Sequence, residues 1–184
     1  MEIIGMTHLK TFVTISLAGL LLLSLPHATA AQAAPGLGML EVIVRVDGLS
    51  CPFCAYGLEK NLRKVDNVAR VELRVDQGRA VVTPKHGTSL ELGALERAVR
   101  DGGFTPRELS VTARGRLTEL NGAPALELSN GVLLLLARGG QSNALLESSR
   151  GTVVRVEGVA SQDQPKGHNG HPYTLTVSSF EAAG

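Results

Sequence analysis

Apolar and polar positions alternate from Leu40 to Asp47, with Val42, Val44 and Val46 on one face and Glu41, Ile43 and Arg45 on the other. This period of two predicts a half-buried strand. From Cys54 to Lys64 the period lengthens. Ala55, Leu58 and Leu62 fall on one helical face, with Glu59, Lys60, Asn61, Arg63 and Lys64 outside it. The last two are cations in the final turn, where the helix dipole favours them. Val68 to Val75 alternates again, Asp76-Gln77-Gly78 marks a turn, and Arg79 to Thr83 returns as its hairpin partner. Thr88 with Glu91 fits a capping box. Leu92, Leu95, Ala98 and Val99 then form a second helical face, ended by Gly102-Gly103. Phe104 opens a last strand. The order strand, helix, strand, strand, helix, strand predicts a split βαβ unit of the α+β class.

After about Ser110 the pattern changes. Val111 to Leu120, Ala125 to Leu128, Val132 to Ala137, Thr152 to Ala160 and Tyr173 to Phe180 read as five strands. Asn121-Gly122 and Asn130-Gly131 separate the first three. Ala144, Leu145 and Leu146 suggest one helical turn after the third, and Gln162 to Pro172 is a polar loop. Five strands with a non-strand insert after the third resemble a small OB-type β-barrel. The expected division is 1–34 as an export segment, 35–110 as the α+β unit and 111–184 as the β unit. The last strand of the first unit is expected to run almost directly into the second.

Charge narrows the function. Lys and Arg number 18 against 17 Asp and Glu, Trp is absent, and only 3% of residues are aromatic. Neither a basic face for a phosphate backbone nor a set of base-stacking rings is predicted, so nucleic acid is not an expected partner. At the N-terminus, Lys10 precedes the apolar run Phe12 to Leu25. Pro26 and the small-residue patterns Ala28-Thr29-Ala30 and Ala31-Gln32-Ala33 follow it. That is a cleavable signal peptide. The run is shorter than the ~20 residues that span a bilayer. The expectation is an exported, periplasmic protein whose membrane contact, if the segment stays uncleaved, is through that segment alone. Glu2 is unusual in such a segment, and initiation at Met6 would remove it.

Cys51 and Cys54 are the chain's two cysteines, in the run Gly48-Leu49-Ser50-Cys51-Pro52-Phe53-Cys54. A disulfide across Cys-x-x-Cys closes too small a loop to constrain much of the unfolded chain. Metal binding and redox exchange remain. Two thiolates suit a soft ion such as Cu(I) or Hg(II) held nearly linearly. Zinc usually takes four ligands and fits less well. Cys54 lies in the first helical turn, where free N–H groups are expected to lower its pKa. His168 and His171 are secondary metal-ligand candidates in the polar loop. Ser50 and Ser110 have no placeable His-Asp partners, and no phosphate-binding glycine loop is present.

From these residues the chain resembles the heavy-metal-associated domain family, which includes copper chaperones and periplasmic mercury-binding proteins. The matching residues are Val46-Asp47-Gly48-Leu49-Ser50-Cys51-Pro52-Phe53-Cys54, with Leu58, Leu62 and Val68 after them. The second match is Leu95-x-x-Ala98-Val99-x-x-Gly102-Gly103-Phe104. The resemblance spans Leu40 to about Val111. It implies a ferredoxin-like fold, Cys51 and Cys54 as ligands, Phe104 under the metal loop, and a metal-donating or metal-accepting protein as partner. It implies a carrier and not an enzyme. Leu49 stands where many relatives have Met, and Pro52-Phe53 is bulkier than usual between the cysteines. Phe53 and Phe104 are expected either to form an apolar collar around the ion or to cover the end of the core. The alternative is a glutaredoxin-like thiol-disulfide oxidoreductase, suggested by Cys-Pro-Phe-Cys, or an interaction protein with a vestigial site. A thioredoxin-like fold, however, needs a strand and a second helix where this sequence predicts a hairpin.

Overall fold

The computed structural model describes residues 36–139, 141–148, 151–162 and 173–183. The predicted export segment 1–34, and His168 and His171, lie outside the described residues. No helix among the described residues is long and apolar enough to cross a membrane.

Alternation forms β1 (Gly38–Asp47), whose Val42, Val44 and Val46 are buried. The helix α1 (Pro52–Leu62) follows, then β2 (Val68–Arg74) and β3 (Arg79–Pro84), then α2 (Leu92–Asp101). The hairpin turn runs through a short 3-10 segment to Gly78, whose φ of 59° is left-handed and suits glycine. A long strand, β4 (Thr105–Leu120), closes this half. The four strands lie in the order β2-β3-β1-β4, all antiparallel neighbours. Val42 sits between Val82 and Val111, and Val44 between Ala80 and Leu109. Both helices pack their apolar stripes on this inner face: Ala55, Leu58 and Leu62 from α1, and Leu92, Leu95, Ala98 and Val99 from α2. Each fully buried Leu or Val contributes about 1.5–3 kcal/mol.

The capping box does not form. Helix α2 starts later, with Glu91 at its N-cap in extended conformation. The Thr88 hydroxyl instead donates to the Lys85 carbonyl at 2.7 Å, which closes the turn after β3. Local side-chain-to-backbone bonding wins over helix initiation here.

The second half consists of β5 (Ala123–Glu127), β6 (Leu133–Leu136), α3 (Gln141–Ser148), β7 (Val153–Ser161) and β8 (Thr174–Ala182). With β4 they form a closed five-strand ring, β4-β5-β6-β8-β7 and back to β4. Among the described residues, only β6 with β8 is a parallel pair. The insert after the third barrel strand is a full helix of eight residues, with Leu145 buried. Strand β4 serves both halves without a break. Its residues 109–114 have β1 on one side and β7 on the other. Beyond them β5 takes the place of β1. Gly115 lies at that exchange. A Cβ there would stand 2.5 Å from Leu126 Cγ and 2.8 Å from the Glu127 carbonyl, so only glycine lets the strands close. One continuous apolar cluster, from Met39 to Val177, joins both halves.

Candidate metal centre

The loop between β1 and α1 is anchored before it presents its thiols. Gly48 has a φ of 86°, and its carbonyl accepts the Ser50 N–H at 2.9 Å. This tight turn drives Leu49 into the core, where it is buried. Leu49 is therefore the apolar anchor of the loop. Phe104 is half-buried against the core, with its Cδ1 edge 3.8 Å from where a Gly48 Cβ would stand. The ring thus backs the turn that leads into the cysteines. Beside it, Arg107 Nε donates to Asp47 Oδ2 at 2.6 Å and ties the end of β1 to β4. That pair is solvent-exposed, so its contribution is about 0–1 kcal/mol.

Cys51 is the N-cap residue of α1, with extended backbone (φ −118°, ψ 121°). The following proline favours that conformation. Pro52 itself opens the helix, where its missing N–H leaves nothing unsatisfied. The Cys51 carbonyl accepts the Ala55 N–H at 3.0 Å and starts the helical ladder. Cys54 falls one turn along and is exposed, while Cys51 is partly covered. Both are free thiols.

The two sulfurs titrate apart. A hydrogen bond with the Cys54 side chain lowers the Cys51 pKa, and the Cys54 and Phe53 backbone N–H groups lower it further. Sharing that same hydrogen bond raises the Cys54 pKa, and desolvation adds to the rise. The sequence expectation assigned the lowered thiol to Cys54. The structure assigns it to Cys51, first because the hydrogen bond shared with the Cys54 side chain favours the Cys51 thiolate, and then because the Cys54 and Phe53 N–H groups point back toward the N-cap residue. Of the two sulfurs, Cys51 is the one that ionises more readily, with the Cys54 side chain as its hydrogen-bond partner.

Phe53 departs from the sequence expectation, and Tyr56 stands outside with it. Phe53 is 92% exposed and Tyr56 72% exposed. Phe53 neither rings the site nor covers the core; of the predicted pair, only Phe104 packs inward. The signal was present in the spacing. Ala55, Leu58 and Leu62 set the inner stripe, and a residue two before Ala55 lies about 200° away from it on a 3.6-residue helix.

Among the described residues, no group of three or more His, Cys, Asp and Glu is placed to hold a metal. The donor set is the two sulfurs, which suits a soft ion of low coordination number. His86 is exposed in the turn after β3. The barrel carries an open cleft of about 340 Å³ lined by Leu117, Pro124, Arg138, Asn143 and Leu146, with no thiol or imidazole among the described residues that line it.

Residues 43–105 match the family model described as heavy-metal-associated domain. No curated protein sequence matches the chain. Among solved structures, the chain is similar to one titled CopZ metallochaperone, at 22% identity over 36% of this chain and 98% of that one, with a TM-score of 0.33. It is similar at 22% identity to a putative copper-ion-binding protein from Bacillus anthracis str. Ames, over 38% of this chain and 96% of that one, with a TM-score of 0.34. A copper binding domain from HMA7, a P-type ATPase, matches at 25% identity over 36% of this chain and 89% of that domain, with a TM-score of 0.33. With its βαββαβ order and its Cys-x-x-Cys loop, the segment 43–105 of this chain is a heavy-metal-associated domain.

Proposed function

We propose that this protein is an exported, periplasmic carrier of a soft metal ion, Cu(I) or Hg(II), and not an enzyme. Cys51 and Cys54 are its ligands. The observation that carries the reading is the pair of free thiols at the N-terminus of α1, inside a segment that matches the heavy-metal-associated domain. Both sulfurs bind the ion as thiolates, so loading releases thiol protons and tightens as pH rises. Exposure of Cys54 leaves one side of the ion open to an incoming thiolate. Transfer then proceeds by stepwise exchange: each new acceptor–metal bond replaces one bond from this chain. In an oxidising compartment the pair must be reduced before loading.

The functional parts are 35–110 for metal and 111–184 for a partner, built on the shared β4. We read the second part as an OB-type barrel. Its strand order, its single parallel pair and its helix between the third and fourth barrel strands support that reading.

The test uses reduced, anaerobic protein titrated with Cu(I) or Hg(II), beside Cys51→Ser/Cys54→Ser. The expected result is one equivalent held by the wild type and none held comparably by the variant. Equal retention by both would refute the carrier role. Disulfide reductase turnover that needs both cysteines would replace it with the redox reading.

A further inference from the structure

The outer face of the four-stranded sheet, opposite α1 and α2, carries a row of arginines. Strand alternation turns Val42, Val44 and Val46 inward and Arg45 outward. Arg45 is directly opposite Arg79 on β3, and Arg79 is directly opposite Arg74 on β2. Arg107 extends the row onto β4, beside a register shift between Val44 and Val46. All four side chains are exposed. Neighbouring strands lie about 4.8 Å apart, so the row spans about 14 Å.

Like charges directly opposite one another destabilise a sheet. At the two ends of the row a carboxylate offsets this: Arg74 pairs with Glu72, and Arg107 with Asp47. In the middle nothing does. Among the described residues, neither Arg45 nor Arg79 has an ion pair or a side-chain hydrogen bond. Two adjacent, unpaired guanidinium groups in a chain of net charge +1 are a local feature and not a reflection of bulk charge.

We propose that Arg45 and Arg79 are a docking site for an acidic segment of a partner protein. Both ends of the row already hold carboxylates, and the planar guanidinium fork matches that group. Arg45 lies two residues before the end of β1, where the metal loop begins. A partner bound there lies at the end of β1 from which the metal loop leaves. Its identity as metal donor or acceptor rests on the carrier role proposed above. A bilayer fits the site less well, because the exposed Phe53 and Tyr56 belong to α1 on the opposite face of the sheet. Nucleic acid finds no exposed ring on this face to stack upon.

The experiment measures binding of a fluorescent octaglutamate peptide to the full protein by anisotropy, at about 20 mM and about 300 mM NaCl. The expected result is binding at low salt that weakens at least about tenfold at high salt. Arg45→Thr/Arg79→Thr should weaken it at least about tenfold at low salt. The same variant should melt at the same temperature as wild type or a few degrees higher, since it loses a repulsion. Cys51→Ser/Cys54→Ser should bind the peptide as wild type does, which separates this proposal from the metal reading. Absence of wild-type binding at low salt, or unchanged binding by the arginine variant, would overturn the proposal. So would capture by phosphatidylglycerol vesicles or a single-stranded oligonucleotide in place of the peptide.

Discussion

Helix α2 turns Glu91, Glu96, Arg97 and Arg100 to its outer side and pairs them, Glu91 with Arg97 and Glu96 with Arg100. Helix α1, on the same face of the sheet, turns out Phe53, Cys54 and Tyr56 from its first turns. The ion pair of Glu59 with Arg63 stands at its other end. Inside, the two helices are alike, each with a stripe of buried apolar side chains. The difference is confined to the outer surface near the thiols. Stability is therefore supplied by the inner stripes of both helices, and the outer first turn of α1 is free to serve another purpose.

The largest effects test the inner likeness. Leu58→Ala in α1 and Leu95→Ala in α2 each remove a fully buried side chain. Each should cost about 2–5 kcal/mol in urea unfolding. A loss below about 1 kcal/mol at Leu58 alone would show that α1 is not packed as α2 is.

A smaller effect concerns what lies over α2. Tyr173, at the start of β8, brings its hydroxyl to 3.4 Å from where a Gly93 Cβ would stand. That hydroxyl is buried without a hydrogen-bond partner. Burial, then the nearby Glu96 and Glu91, push its pKa from 10.0 up to about 12. The folded state thus prefers the neutral phenol. This contribution is complete below about pH 10 and is lost as pH rises toward about 12. Tyr173→Phe should flatten that alkaline loss in pH-dependent melting. At neutral pH it should leave stability unchanged or raise it by up to about 1 kcal/mol, since an unpartnered hydroxyl is removed. A clear loss at neutral pH would mean that the hydroxyl is bonded in solution.

Phe53→Ser/Tyr56→Ser sharpens the outer difference. It should change unfolding free energy by less than about 0.5 kcal/mol per site, because neither ring is buried. A loss like that of Leu58→Ala would place these rings in a packed surface. The gentlest probe is alkylation by limiting iodoacetamide near pH 7.5, read by peptide mass. Cys51 should be modified before Cys54, since its lowered pKa supplies more thiolate. The reverse order would return the lowered thiol to Cys54.

Much of the first half was legible because its signals are local. Val42, Val44 and Val46 announce β1, and Leu92, Leu95 and Val99 announce α2, within single stretches of chain. The loop with Cys51 and Cys54 was equally plain. What escaped depends on neighbours distant in sequence. That the last strand of the first unit runs into the second was expected, but not its partners: β1, β7 and β5 come from both sides of it in the chain. The arginine row appears only once register sets Arg45, Arg79 and Arg74 opposite one another. The lowered thiol went to the wrong cysteine because spacing alone does not say which sulfur gains from the hydrogen bond that the two share.

Strand β4 also has a consequence for how the molecule opens. The backbone of residues 109–114 is paired on both sides, so no edge exists from which those amides can fray. In hydrogen exchange they should be released only when the whole fold opens. Their exchange rates then report one free energy for the metal-binding half and the barrel together, and a change buried in either half is felt at the same amides.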